Sequence, residues 1–515
     1  MKFRVFIQLT GIVLSLSTEL AAQSFEENAL LFSRTRPGGS ARMQAIGGAQ
    51  IALGGDFSSA LSNPAGLGMY NRSEFTFTPA LNFFSTEAKH LGTTQNEDNS
   101  KFTIPGLSYV FNSPNNKDGF WGGSFGISMT RTNDFNSSVR YSGVDNLSSM
   151  VDWFLEDATG AATSQLPAPY ENIPVLNPDL PTWMAYWVYL INPFSADNPD
   201  AVLPDDYINY YSEVFPLDGE VRTLTRTEGN NTKGAQYQWS LAYGGNYKDV
   251  FFFGANIGIT TLRYTLSRTY TESDFSFSLD PLYKPLDYFT LDETTDTEGS
   301  GINLTLGVVY RPTDYLQFGA AFASPTYYQL TDSYSVSMEA NWDTGFYSRS
   351  ISSPLILEYN LTTPMKLSFG TAFFLSDYGF ISGDIEFINY KKAKYASDIS
   401  GISFNGENDA ILASYQNTVN YRIGGEFRLD VLRFRAGYNV QSNPYNTSFI
   451  DTNRSIQTLS AGLGLRLTKF FIDFALLRST GKSEYSPYVF QNNTGPLVSL
   501  NNSRTTGMLT VGFTF

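Results

Sequence analysis

Nine ionisable residues fall on one parity of a series of alternating segments: Lys366, Asp384, Glu386, Arg422, Glu426, Arg433, Arg435, Arg466 and Asp473. A spacing of two puts such side chains on one face of a strand. Basic groups placed this way can meet a carboxylate, for which the fork of an arginine is suited, and Arg422 and Arg435 are the candidates. The same pattern fits an internal ion-pair network, and the residues alone leave both readings open. Little else could do chemistry. The chain has no Cys and a single His, His90. Without Cys there is no disulfide framework, thiolate zinc site, iron–sulfur cluster or cysteine nucleophile. His90 sits between Lys89 and Leu91 in what reads as a connection, away from the strand framework that nucleophile and base would need. The expectation is a protein that is not an enzyme and holds no metal and no cofactor. Haem uptake through an axial Tyr is left open.

The elements that position these residues are legible from composition and rhythm. Of 515 residues only 16% are charged, against about 25% in ordinary soluble chains. The 32 Tyr, 41 Phe and 6 Trp exclude disorder, and a net charge of −15 argues against a grip on nucleic acid. Residues 1–22 read as a secretory signal: Lys2 and Arg4, an apolar run from Val5 to Ser17, and small residues before Gln23. No later apolar stretch reaches the ~18 residues of a membrane helix.

From residue 73 onward the pattern has period two. Phe75, Phe77, Leu81 and Phe83 alternate with polar residues, as do Ile302, Leu304, Leu306, Val308 and Tyr310, and Val419, Tyr421, Ile423 and Phe427. We expect fourteen strands, near 73–84, 102–111, 120–133, 236–247, 250–271, 300–310, 314–338, 352–375, 379–392, 417–428, 431–441, 455–467, 469–482 and 504–515. Connections after even strands read as short turns and those after odd strands as long loops, the sorting of a transmembrane barrel rather than a sandwich. Aromatic residues cluster at strand ends and Phe515 closes the last strand, which puts both chain ends on the periplasmic side. The fold class is therefore all-β, a 14-stranded antiparallel transmembrane barrel spanning 73–515, in the outer membrane of a Gram-negative cell. Fourteen strands enclose a lumen, and the segment 23–72, rich in small residues, is the expected hatch plugging it.

The stretch 134–235 reads as a large outer loop with short helices at Met150–Ala158, Thr182–Asn192 and Asp205–Phe215. Trp183, Met184, Trp187, Leu190 and Ile191 share one helical face. Such a face suits either a landing groove for a greasy ligand, at ~25 cal/mol per Å² buried, or a lid packed on itself.

The run Ala45-Ile46-Gly47-Gly48-Ala49, through Gly54-Gly55-Asp56 to Asn63-Pro64-Ala65-Gly66-Leu67, directly precedes an aromatic strand. It resembles the N-terminal hatch of the FadL-type outer-membrane transporters for long-chain fatty acids and other hydrophobic compounds. The resemblance implies a lipophilic ligand captured at outer loops, Trp183 and Trp187 being candidates. It implies a lumenal pocket beside Asn63, Pro64, Ala65, Gly66 and Leu67, and lateral release through a kink in the third strand. Gly122, Gly123 and Gly126 could supply that kink. Transport would be passive and hatch-gated, in a monomer surrounded by outer-membrane lipids and lipopolysaccharide. The alternative is a barrel of the same build that docks or shuttles secreted proteins, with a secretion-system partner. A transporter should show a continuous apolar pocket touching Asn63 to Leu67; a docking component should show a large open loop surface.

Overall fold

The computed structural model describes residues 25–117, 120–161, 179–193, 209–217, 220–280, 282–446 and 453–515; the expected signal at 1–22 lies outside the described residues. Alternating side chains give a closed ring of 14 antiparallel strands. In chain order these are β1 (Glu74–His90), β2 (Thr93–Lys117), β3 (Phe120–Asp134, resumed as Ser137–Asp145), β4 (Arg222–Tyr247), β5 (Phe251–Phe277), β6 (Leu286–Thr313) and β7 (Leu316–Ala323 and Tyr327–Trp342). They continue as β8 (Tyr347–Ile351, Leu355–Thr362 and Lys366–Phe374), β9 (Gly379–Asn389), β10 (Asn417–Leu429), β11 (Leu432–Gln441), β12 (Ile456–Arg466), β13 (Phe470–Tyr485) and β14 (Val498–Thr514). β14 closes on β1, with Phe77 opposite Val511 and Phe83 opposite Thr505. Ser73 and Phe515 seal the seam with reciprocal backbone bonds of 3.1 and 3.0 Å.

The outward parity makes an apolar belt: Phe75, Phe77, Leu81, Ile257, Ile259, Ile302, Leu304, Phe369, Tyr421 and Phe434 are all exposed. In water such a belt would be a liability; around a closed barrel it is the lipid-facing surface. No helix among the described residues is long and apolar enough to cross a membrane, so the strands do.

The strands are longer than expected. β4, β5 and β6 run 26, 27 and 28 residues, at ~3.4 Å per residue some 90 Å of chain, whereas about 9–11 residues cross a bilayer. The excess stands on the side opposite the short turns, which are periplasmic. This corrects several expected boundaries. β1 and β2 meet through Leu91-Gly92, both with positive φ, so the first outer connection is a two-residue hairpin turn and not a long loop. His90 ends a strand and is buried, its Nδ1 3.0 Å from the Leu497 carbonyl. Residues 137–145 and 222–235, assigned to the great loop, are strand.

Two apolar masses fill the protruding half. The cap gathers α1 of the loop, Met150–Ala158, and α2, Leu180–Trp187, against the inner faces of β5, β6 and β7 through Phe154, Trp183, Met184, Phe289 and Met338. Ser149 caps the first of these helices in a reciprocal box with Asp152. The third expected helix, 205–215, falls partly outside the described residues; within them Tyr210–Tyr211 pair as a short strand with Asn192–Pro193. Arg226 ties the cap to the wall: Nη1 lies 2.6 Å from Asp145 Oδ2, Nη2 3.5 Å from Glu272 Oε1, and Nε donates to Tyr270 Oη at 2.7 Å.

The second mass surrounds α3, the N-terminal helix Phe25–Ser33. Phe25 packs edge-on to Tyr359, Tyr395 and Phe404, and the Tyr395 and Tyr415 hydroxyls donate to the Phe25 and Glu26 carbonyls at 2.8 and 2.6 Å. Phe404 belongs to the outer connection after β9, so the first described helix lies at the outer end of the lumen. The chain then runs down the bore to β1. The first described residue, Phe25, therefore lies at the outer end, whereas Phe515 and the start of β1 lie at the periplasmic rim, unlike the expectation of both chain ends on the periplasmic side.

Candidate functional site

Below α3 the small residues of the hatch let its backbone press directly on the wall. Gly424 of β10 and Gly437 of β11 face each other across the ladder, and a Cβ on either would overlap the Ile46–Gly47 peptide. Gly254 and Gly307, likewise paired between β5 and β6, leave room for Pro64 and the Asn63 side chain. Polar groups complete the seat. Asp384 Oδ2 accepts from the Gln50 and Ile51 amides at 2.7 and 3.0 Å. Asn63 Nδ2 donates to Ile51 O at 2.7 Å and to Val308 O at 3.1 Å, while its Oδ1 accepts from Ala65 N at 3.2 Å. Asn63, Pro64, Ala65, Gly66 and Leu67 are thus spent on holding the hatch to itself and to the wall, and all are buried.

The lumen-facing charges divide in two. Beneath the hatch, Arg435 is fully enclosed, with Nε 2.7 Å from Glu426 Oε2 and Nη1 2.7 Å from Asp473 Oδ1. Arg42 of the hatch reaches Glu426 at 3.5 Å, and Arg466 reaches Asp473 at 2.8 Å. This is the network reading of the alternating charges. Arg422 instead lines a cavity of about 120 Å³ above the hatch. Its Nη2 is 2.7 Å from Glu386 Oε1, and its Nε has no protein partner.

The cavity has Ile51, Leu61 and Ser62 for a floor, Phe32 and Tyr328 toward the aromatic mass, Lys366 and Arg422 beside Glu386 on one side, and Arg36 toward β3 and Asp134 on the other. Arg36 went unnoticed in the sequence, where 23–72 was read for its small residues. Its Nη1 is unpartnered. Burial lowers its pKa, Asp134 opposes that shift, and the neighbouring Arg34 and Arg131 add to it; the positive charge here is under-compensated. The expected continuous apolar pocket touching Asn63 to Leu67 is not what this cavity is. It stops at Ser62 and much of its lining is Thr, Gln, Asn and Ser, because the contact of Asn63 and Pro64 with the glycine-lined wall leaves no space.

Of the other expected site residues, Trp183 is enclosed in the cap while Trp187 is 36% exposed at its edge. Gly122 has φ 107° at a register shift near the periplasmic end of β3. Gly123 and Gly126 are paired with both neighbouring strands, and Gly126 faces Leu67 of the hatch. A second shift in β3, between Arg131 and Asn133, stands opposite Tyr237 and Gln236 of β4, two residues from Gly234, whose φ is 122°.

A closed barrel with a lipid-facing belt, periplasmic turns and an internal hatch is an outer-membrane β-barrel. No family model and no curated protein matches this sequence. Among solved structures, a Pseudomonas aeruginosa FadL homologue superposes with a TM-score of 0.55 at 12% identity, covering 93% of this chain and 99% of its own. The Ralstonia pickettii toluene transporter TbuX (TM-score 0.49, 14% identity, 93% and 99%) and the P. putida toluene transporter TodX (TM-score 0.49, 13% identity, 93% and 99%) also align. The chain has the fold of the FadL-type barrels.

Proposed function

We propose that this barrel passes hydrophobic molecules bearing an acidic end, such as long-chain fatty acids, across the outer membrane by passive diffusion, without making or breaking a bond. The observation that carries this reading is the cavity's position. Its lining brings Lys366 and Arg422 from one side and Arg36 from the other against the aromatic bore that α3 now fills. An amphiphile would seat its carboxylate on the guanidiniums and its tail where Phe25 and Phe32 lie, so α3 and the hatch must yield for it to pass. The FadL-type fold supports the same reading.

The test is to identify small molecules that co-purify with the barrel in mild detergent, then to titrate the emptied protein with a long-chain fatty acid and with a neutral hydrocarbon of equal length. Arg36→Gln with Arg422→Gln should weaken the acid about 10- to 100-fold, as expected for losing charge-assisted hydrogen bonds, and leave the neutral compound unchanged. Equal losses for both would refute the carboxylate role.

For lateral release our candidate point is the contact of Leu67 with Gly126, where a Cβ would lie 3.3 Å from Leu67 Cδ1. With no native Cys, Leu67→Cys and Gly126→Cys make a clean tether. Uptake should fall when the pair is oxidised and return on reduction; unaltered uptake in the oxidised form would remove the hatch from the route. The docking alternative draws on Leu147, Leu217 and Leu282, which stand 85%, 73% and 92% exposed on the outer rim. A stoichiometric protein partner with an empty lumen would favour it over transport.

A further inference from the structure

The outside of the barrel carries a groove of about 730 Å³ that the transport route does not use. It lies where the β2–β3 ladder gives out after the Gly106–Thr130 pair, beside the register shift between Arg131 and Asn133 in β3, with Gly234 of β4, where a Cβ would overlap the Arg263 carbonyl, close by. Its level is fixed by the strands that cross it. Immediately on the periplasmic side, Trp239, Leu241, Ile257, Ile259, Ile302 and Leu304 face lipid. On the other side the outward residues of the same strands are Lys233, Ser267 and Asp296. The groove therefore lies where acyl chains give way to headgroups in the outer leaflet.

Its lining matches that boundary. Phe102 and Ile104 are exposed on the lipid side. Lys101, Arg131 and Arg263 stand at the groove with Glu298. Lys101 Nζ bonds only the neutral Asn136 side chain, at 2.9 Å, with no carboxylate within reach. Arg131 forms the floor, 3.1 Å from Asp134 and over the Tyr237 ring at 5.6 Å. The Arg263–Glu298 pair spans 3.8 Å with side chains 83% and 69% exposed, so water competes for both. Three cations against two acids, Glu298 and the Asp134 that pairs with Arg131, leave a local positive excess above an apolar ledge on a chain of net charge −15.

We infer that this groove binds the phosphate of a phosphorylated outer-leaflet lipid, with Lys101 and Arg263 on the headgroup and its acyl chains against Phe102 and Ile104. Charge and apolar surface are stacked in the order such a lipid presents them. The experiment is native mass spectrometry of the full barrel with bis-phosphorylated lipid A, its dephosphorylated form, and inorganic phosphate alone. One phosphorylated lipid should be retained per barrel, and Lys101→Gln with Arg263→Gln should reduce retention about tenfold. Both side chains project into solvent, so that variant should keep the heat-resistant folded form, and Arg131→Gln, made separately, should add to the loss if it folds. Equal retention of dephosphorylated lipid A, undiminished retention by the double variant, or displacement by millimolar inorganic phosphate would each overturn the assignment.

Discussion

Gly424→Val combined with Gly437→Val is expected to expel the hatch while leaving the barrel closed. Both residues face the lumen and are paired with each other, and both would drive a side chain into the Ile46–Gly47 peptide. The outward ladder and lipid belt are untouched, so the cost falls on the hatch alone. Overpacking a tight contact costs about 1–3 kcal/mol, and two substitutions against one peptide are coupled rather than additive. At ~1.4 kcal/mol per factor of ten, the population with a displaced hatch should rise at least tenfold. Planar-bilayer recordings should show open events rare in the parent, and limited proteolysis should cut within 38–57. Gly507→Val is the control, because a Cβ at Gly507 meets nothing within 4 Å. Recordings indistinguishable from the parent would mean that the hatch does not close the pore.

Arg226→Met should release the cap. The guanidinium has no exposed surface and holds Asp145 and Glu272 together. It also donates to Ser148 O at 3.0 Å and Tyr488 Oη at 2.6 Å. Removing one member of such a group strands the others, at a cost of about 3–5 kcal/mol. The cheapest response is for the loop carrying Asp145 and Ser148 to leave the wall, taking Met150–Ala158 with it. Amide exchange across that helix should accelerate by two orders of magnitude or more, with β8 to β12 unaffected. Arg226→Lys should fall between, since an ammonium keeps the charge without the five-donor fork. Uniform destabilisation of the whole barrel would contradict this.

The membrane-crossing portion was legible in the sequence because lipid outside and polar lumen inside force strict alternation, as in Ile302 to Tyr310. Contrast fails above the membrane. In Ser85 to His90 the buried face is Thr86, Ala88 and His90, and in Glu293 to Glu298 it includes Glu293, paired with Arg268, so neither face shows a run of large apolar residues and the extended strands read as loops. His90 was misplaced for the same reason. The hatch was recognisable from its small residues and from Asn63-Pro64. That Asn63 is wholly consumed by backbone partners depends on the packing between hatch and wall, which one sequence does not give. Arg435 and Arg422 look alike on parity, and only depth separates the enclosed network from the cavity wall. Arg36 carried a signal that could have been used: with Arg34, Arg42 and Arg72 it is one of four arginines in a segment headed for the bore.

The lengthwise course of the N-terminal segment has a temporal consequence. α3 sits under the outer connections, the hatch fills the middle, and β1 starts from the periplasmic rim only after the chain has traversed the lumen. A wall joined at Ser73 and Phe515 offers no side door wide enough to admit a folded segment afterwards. If residues 25–72 already lie within the curling sheet when β14 finds β1, that ladder is the one that encloses them; otherwise they must thread in through an end of the bore. Enclosing the content before the container closes is the route that spares this threading.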